Sequence, residues 1–119
     1  MKLAGVHHVA INVRDVDEAV AFYVDRLGMT ERADRPDFGF PGAWLDAGDR
    51  QVHLVQGDTP GNVGQHFALR LTDLDAAVAE LRDAGVEVTD VIEVAPSSGR
   101  QAFLSDPSGN GIELNEAIV

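Results

Sequence analysis

The chain has 119 residues, enough for one domain that buries its own core without disulfides or a structural metal. Nine Lys+Arg face 20 Asp+Glu, a formal net charge of −11. This balance opposes binding to nucleic acid, which depends on basic groups displacing counterions, and to anionic membrane surfaces. The absence of cysteine excludes disulfides, thiolate metal sites and cysteine nucleophiles, so any metal would rest on His, Asp, Glu, amides or water.

The opening Met1-Lys2-Leu3-Ala4-Gly5-Val6-His7-His8 lacks the apolar stretch and small-residue cleavage site of a secretory leader. The longest apolar run, residues 19–24, is far shorter than the ~20 residues that span a bilayer. A cytoplasmic location is the expectation.

In chain order, residues 6–13 alternate as a strand, with Val9, Ile11 and Val13 on one face and His8, Ala10 and Asn12 on the other. A helix follows. Asp15-Val16-Asp17-Glu18 reads as a capping box, Val16, Val20, Tyr23 and Leu27 as the apolar stripe, and Gly28 as the stop. Short strand signals lie near residues 30–33, 43–45 and 51–55, before a Gly/Pro-rich joint at 57–62. The pattern then restarts. Residues 66–71 alternate, with Phe67, Leu69 and Leu71 opposite His66, Ala68 and Arg70. A second helix begins at Asp73, carries Leu74, Val78 and Leu81, and stops at Gly85. Strand signals return near 87–94, 101–104 and 111–115.

This recurrence is a duplication. Residues 8–20 align with 66–78 at an offset of 58, matching His8 to His66, Asp15 to Asp73 and Asp17 to Asp75. Residues 46–53 align with 106–113 at an offset of 60. The expected architecture is α+β, a single domain over 1–119 made of two β-α-β-β-β halves, about 1–57 and 62–119.

Side chains alternate faces along a strand. In Val52-His53-Leu54 and Ile112-Glu113-Leu114 the apolar residues pack toward helices, so His53 and Glu113 face the other way, as do His8 and His66 on their strands. Three imidazoles and one carboxylate thus occupy matching addresses in the two halves, while His7 falls on the opposite face. A lone strand histidine is ordinarily just a hydrogen-bonded side chain, but this joint pattern makes His8, His53, His66 and Glu113 candidate ligands. Such a set suits Fe, Zn, Ni, Mn or Co better than Mg or Ca.

The two halves, the opening Gly5-Val6-His7-His8-Val9-Ala10-Ile11, the helix segment from Ala21-Phe22-Tyr23 to Leu27-Gly28-Met29, and the tail Asp106-Pro107-Ser108-Gly109-Asn110-Gly111-Ile112-Glu113-Leu114 resemble the vicinal oxygen chelate superfamily. That superfamily includes glyoxalase I, methylmalonyl-CoA epimerase, fosfomycin resistance proteins, extradiol dioxygenases and metal-free bleomycin-binding proteins. The resemblance implies curved mixed sheets around a cavity, a divalent metal cofactor, a small-molecule substrate that chelates it through adjacent oxygens, and a homodimer, often with sites shared between chains.

Carried over by position, the resemblance puts ligands at His8, His66 and Glu113, the two-His-one-carboxylate set of the dioxygenases and fosfomycin enzymes. The remaining position, Glu in glyoxalase I and Gln in the epimerases, is His53 here, which leaves Glu113 as the single carboxylate and candidate catalytic base. A fosfomycin enzyme would call for a basic residue beyond the last strand, and none follows Glu113. Arg70, Asn12, Trp44 and Phe103 are the candidate substrate contacts. Gln51 and Asn115 have the parity to support the ligands, and Phe38 and Phe40 could form a wall or lid. Arg100 and Glu116 are expected to be solvated. A metal-dependent lyase or isomerase working by proton transfer is the first expectation, because the chain has only two half-modules. An Fe(II) ring-cleaving dioxygenase and a metal-free drug-binding protein are the alternatives.

Overall fold

The computed structural model describes residues 1–96 and 98–117. It divides into two compact units, with the boundary between Pro60 and Gly61, inside the Gly/Pro-rich joint.

In the first unit β1 (His8–Val13) leads into α1 (Val16–Ala21), which continues as a π-helical turn over Phe22–Arg26 before β2 (Thr30–Glu31), β3 (Gly42–Ala47) and β4 (Arg50–Gln56). The second unit repeats the order with β5 (His66–Arg70), α2 (Leu74–Asp83), β6 (Ile92–Ala95), β7 (Gly99–Ser105) and β8 (Gly111–Glu116). Each unit forms one four-stranded mixed sheet. The orders are β1-β4-β3-β2 and β5-β8-β7-β6, with the first pair of each parallel and the others antiparallel. The α+β fold with two β-α-β-β-β modules is therefore present, and the sheets are open.

The apolar parity of the strands becomes the core of each unit. Val13, Ala43, Leu45, Val52 and Leu54 are buried with Val16, Ala19 and Tyr23 of the first helical segment. Ala102, Leu104, Ile112 and Leu114 are buried in the second unit, as are Leu74, Val78 and Leu81 of α2. Ala19, three residues after Val16, is the buried helix position, while Val20 and Leu27 are only half-buried; at Leu27 the π turn, with Leu27 N–H donating to Phe22 O at 3.3 Å, shifts the helix face.

The helix starts are built twice in the same way. Asp15 accepts from Glu18 N–H at 2.8 Å and Asp73 from Ala76 N–H at 3.0 Å. Only half of the expected capping box forms, because Glu18 turns to a bidentate pairing with Arg14 at 2.7 and 2.9 Å. A second acceptor arrives from the end of each parallel strand: Gln56 Oε1 takes Val16 N–H and Glu116 Oε1 takes Leu74 N–H. At the other end of α2, Gly85 at φ +84° closes a Schellman turn, its N–H donating to Arg82 O and that of Val86 to Leu81 O.

Two expectations change here. Strand β6 occupies only the end of the segment 87–94, because Arg82 binds the carbonyls of Val88 and Thr89, and Thr89 holds Phe103 through N–H to O at 2.9 Å and Oγ1 from N–H at 2.8 Å. Arg100 and Glu116 are not solvated charges. Arg100 donates to Glu116 Oε2 and to Asp75 Oδ1, both at 2.8 Å, tying β7 to β8 and to α2.

The family-like tail is explained by a buried carboxylate. Asp106 accepts from Ser108 N–H, Asn110 N–H and Asn110 Nδ2, each at 2.9 Å, folding the β7–β8 connection onto itself. The turn fixes the register in which Phe103 faces Glu113 across the strands.

Candidate functional site

Register decides which polar side chains meet. In the first unit Ala10 pairs with His53, and His53 in turn with Trp44, so β1, β4 and β3 present one continuous polar face. His8 reaches diagonally over it and stacks on His53, ring centroids 3.9 Å apart and planes within 13°. Trp44 stacks on the other side at 4.7 Å. Gln51 Oε1 lies 2.8 Å from His53 Nε2, and with the amide oxygen facing it that nitrogen carries the hydrogen, leaving Nδ1 with a lone pair. Burial, followed by the positive potential of His8, His7, Arg32 and Arg35, lowers the His53 pKa below its ordinary value, which favours the neutral, ligating form. His7 also meets His8, through an Nδ1–Nδ1 contact of 2.9 Å and an edge-on ring contact at 5.1 Å.

In the second unit His66 and Glu113 come together, Nε2 to Oε1 at 3.2 Å. The His66 ring is oriented from behind, with Nδ1 donating to Gly64 O at 2.9 Å, while Phe103 meets it edge-on at 5.3 Å. The other Glu113 oxygen accepts from Asn115 Nδ2 at 3.1 Å, and that amide also donates to Ser98 O.

Both nitrogens of His66 thus face oxygen acceptors. A neutral imidazole has one ring hydrogen. Once it is given to Gly64, a lone pair on Nε2 confronts a carboxylate lone pair. A proton resolves this by making an imidazolium–carboxylate pair, and a cation held by both atoms resolves it equally. Ligands about 2.0–2.2 Å from a Zn-like ion stand about 2.8–3.6 Å from one another, a range that contains the observed spacing. The donor chemistry and the backbone-anchored imidazole therefore fit a divalent transition metal.

The four candidate ligands are gathered as pairs, His8 with His53 in one unit and His66 with Glu113 in the other. Within neither unit do three or more His, Asp or Glu side chains form a metal-sized group among the described residues. Of the candidate substrate contacts, Trp44 and Phe103 lie directly against His53 and His66. Arg70 is exposed on the His66 face of β5, with no ion pair among the described residues. Asn12 donates its amide to Asp58 O at 3.0 Å, holding the loop after β4. Sequence reasoning missed the Gly64 carbonyl, which carries no sequence signal. It also missed Arg35, whose only hint was a basic residue shortly before Phe38 and Phe40.

The profile of the Glyoxalase/Bleomycin resistance protein/Dioxygenase superfamily matches residues 5–114, a span that includes both pairs of candidate ligands. The chain belongs to this superfamily. It is 29% identical over 124 residues to the lactoylglutathione lyase of Salmonella typhimurium, covering 92% of this chain and 90% of that protein. A crystal structure of a glyoxalase-family protein from Bacillus anthracis superposes with a TM-score of 0.88 at 26% identity, over 99% of this chain and 98% of that one. TnmS3, an antibiotic binding protein from Streptomyces sp. CB03234, superposes at 0.81 with 31% identity and 99% of both chains covered. No helix among its described residues is long and apolar enough to cross a membrane.

Proposed function

We propose that the chain is a divalent-metal-dependent lyase or isomerase that moves a proton on a small substrate bearing adjacent oxygens, with His8, His53, His66 and Glu113 as metal ligands. The observation that carries this reading is the arrangement of His66, whose two ring nitrogens both face oxygen acceptors, one of them Glu113. When bound, a divalent ion supplies Lewis-acid polarisation of the substrate oxygens. Glu113 acts as general base, taking a proton from the carbon next to the polarised oxygen onto its carboxylate and returning it to the neighbouring carbon. Asn115 holds one Glu113 oxygen and keeps the carboxylate aimed. Arg70 and Phe103 contact the substrate from the face of His66, and Trp44 from that of His53. Asn12 supports the site by holding the loop at Asp58. The chain works as a homodimer.

The likeness to lactoylglutathione lyase supports proton transfer, as does the presence of two half-modules rather than four. A second reading, a metal-free binding protein, has the likeness to TnmS3 in its favour. Against it stands the retention of three histidines and a glutamate at matching addresses. NMR of a panel of α-hydroxycarbonyl compounds, incubated anaerobically with metal-loaded protein in deuterated water, separates the readings. The proposal expects deuterium at the carbon beside the carbonyl, with the rate falling at least 100-fold in Glu113→Gln. Oxygen consumption with Fe(II) and no exchange would instead identify an oxygenase.

A further inference from the structure

The first unit carries an aromatic feature that extends beyond the residues assigned to proton transfer. Phe38 and Phe40 project from the loop between β2 and β3, about half exposed, and stack on each other at 5.8 Å with planes within 19°. Phe38 lies 6.1 Å from Trp44, Trp44 stacks on His53, and His53 on His8. Five rings thus form a ladder running from an exposed loop to the proposed metal ligands. Packing for stability would have turned the two phenylalanines inward. Here they stay about half exposed, facing each other and their neighbours Trp44 and Arg35.

The cation beside them is equally unusual. The Arg35 guanidinium carbon stands 5.1 Å from the Phe38 centroid and 5.3 Å from that of Phe40, and the group donates to Phe40 O at 3.1 Å. It lies over Gly42, where a Cβ would come within 2.6 Å of both Arg35 Nη2 and Leu54 O, so glycine leaves room there for the guanidinium as well as for the neighbouring strand's carbonyl. In a chain with 20 Asp+Glu, Arg35 nevertheless has no carboxylate partner among the described residues. A cation fixed against aromatic faces and left without a counter-ion recognises electron-rich rings and anionic oxygens.

We propose that Phe38, Phe40, Trp44 and Arg35 form a docking platform for a planar aromatic molecule carrying an anionic oxygen, the rings stacking on it while Arg35 takes its charge. The inference rests on the function proposed above only in taking the His8–His53 end of the ladder as the reacting end. Docking itself requires no metal.

Trp44 is the chain's single tryptophan, so its indole N–H gives one self-assigned NMR signal. Titrating 1-hydroxy-2-naphthoate into chelator-treated protein should shift that signal saturably. The affinity should fall at least tenfold in F38A/F40A with an unchanged melting temperature, as expected for half-exposed side chains. Arg35→Gln should weaken 1-hydroxy-2-naphthoate but leave neutral 2-naphthol unaffected. No saturable shift, or equal affinity in F38A/F40A, overturns the platform. So does conversion of a dimer to a monomer by F38A/F40A without ligand binding in the parent, which would assign the rings to a second copy of the chain. Because the titration is metal-free, its failure is distinct from failure of the metal reading, which metal content reports.

Discussion

At the scale of single residues, strand alternation is enough to aim a side chain but not to choose its neighbour. The faces of His8, His53, His66 and Glu113 were legible because a period of two is a local property of the chain. That His8 would lie on His53, and that Gly64 would anchor His66, depends on register and on a loop carbonyl, which have no local signature. Asp106 illustrates the reverse case. It reads as part of a family tail, and its work is structural: three donors converge on one buried carboxylate. Asp106→Ala should cost about 2–3 kcal/mol, since removing the acceptor leaves donors unpaired. Chemical denaturation checks this, and an unchanged midpoint would show that the turn does not need the carboxylate. The same substitution loosens the register that presents Glu113, so affinity for metal should fall with stability.

At the scale of elements, the two helices start alike because the duplication preserved both the Asp cap and the strand-end acceptor. The capping aspartates were readable from Asp15 and Asp73. The second acceptor was not, because Gln56 and Glu116 sit at strand ends where polar residues usually meet water. The available signal was their shared offset of 60, in step with residues 46–53 and 106–113. In the second unit the glutamate also recruits Arg100, which reaches Asp75 on α2. The Arg100 hydrogen bond holds the Asp75 pKa below its ordinary 3.8. A carboxylate lowered on folding stabilises the native state fully above its unfolded pKa, and this stabilisation is lost as pH falls through the lowered value. Melting curves of Asp75→Asn should therefore lie below those of the parent near pH 7 and merge with them well below pH 3.8. The offset should be small because the aspartate is exposed. An offset that persists in strong acid would contradict an electrostatic origin.

At the scale of the whole chain, two copies of one module each contribute a pair of metal-type donors, and the later copies of the motif have diverged. The polar positions of β4 and β8 hold His53 and Glu113, so the duplicated addresses now carry different chemistry. Composition and repeat together revealed the architecture, because duplication leaves hydrophobic periodicity and capping in register over about 60 residues. The aromatic ladder was only partly visible. Phe38, Phe40 and Trp44 stood out as a cluster, but their alignment with His53 and with Arg35 depends on how the β2–β3 loop folds over β3.

The central claim is that this arrangement holds a metal, and elemental mass spectrometry of the purified protein tests it most directly. The prediction is close to one Fe, Ni, Zn, Mn or Co per chain, removed by chelation, restored on reconstitution and absent from the His8→Ala/His66→Ala double variant. A folded parent protein that contains no such metal and takes none up would contradict the account, and would leave a metal-free binding protein as the reading of this fold.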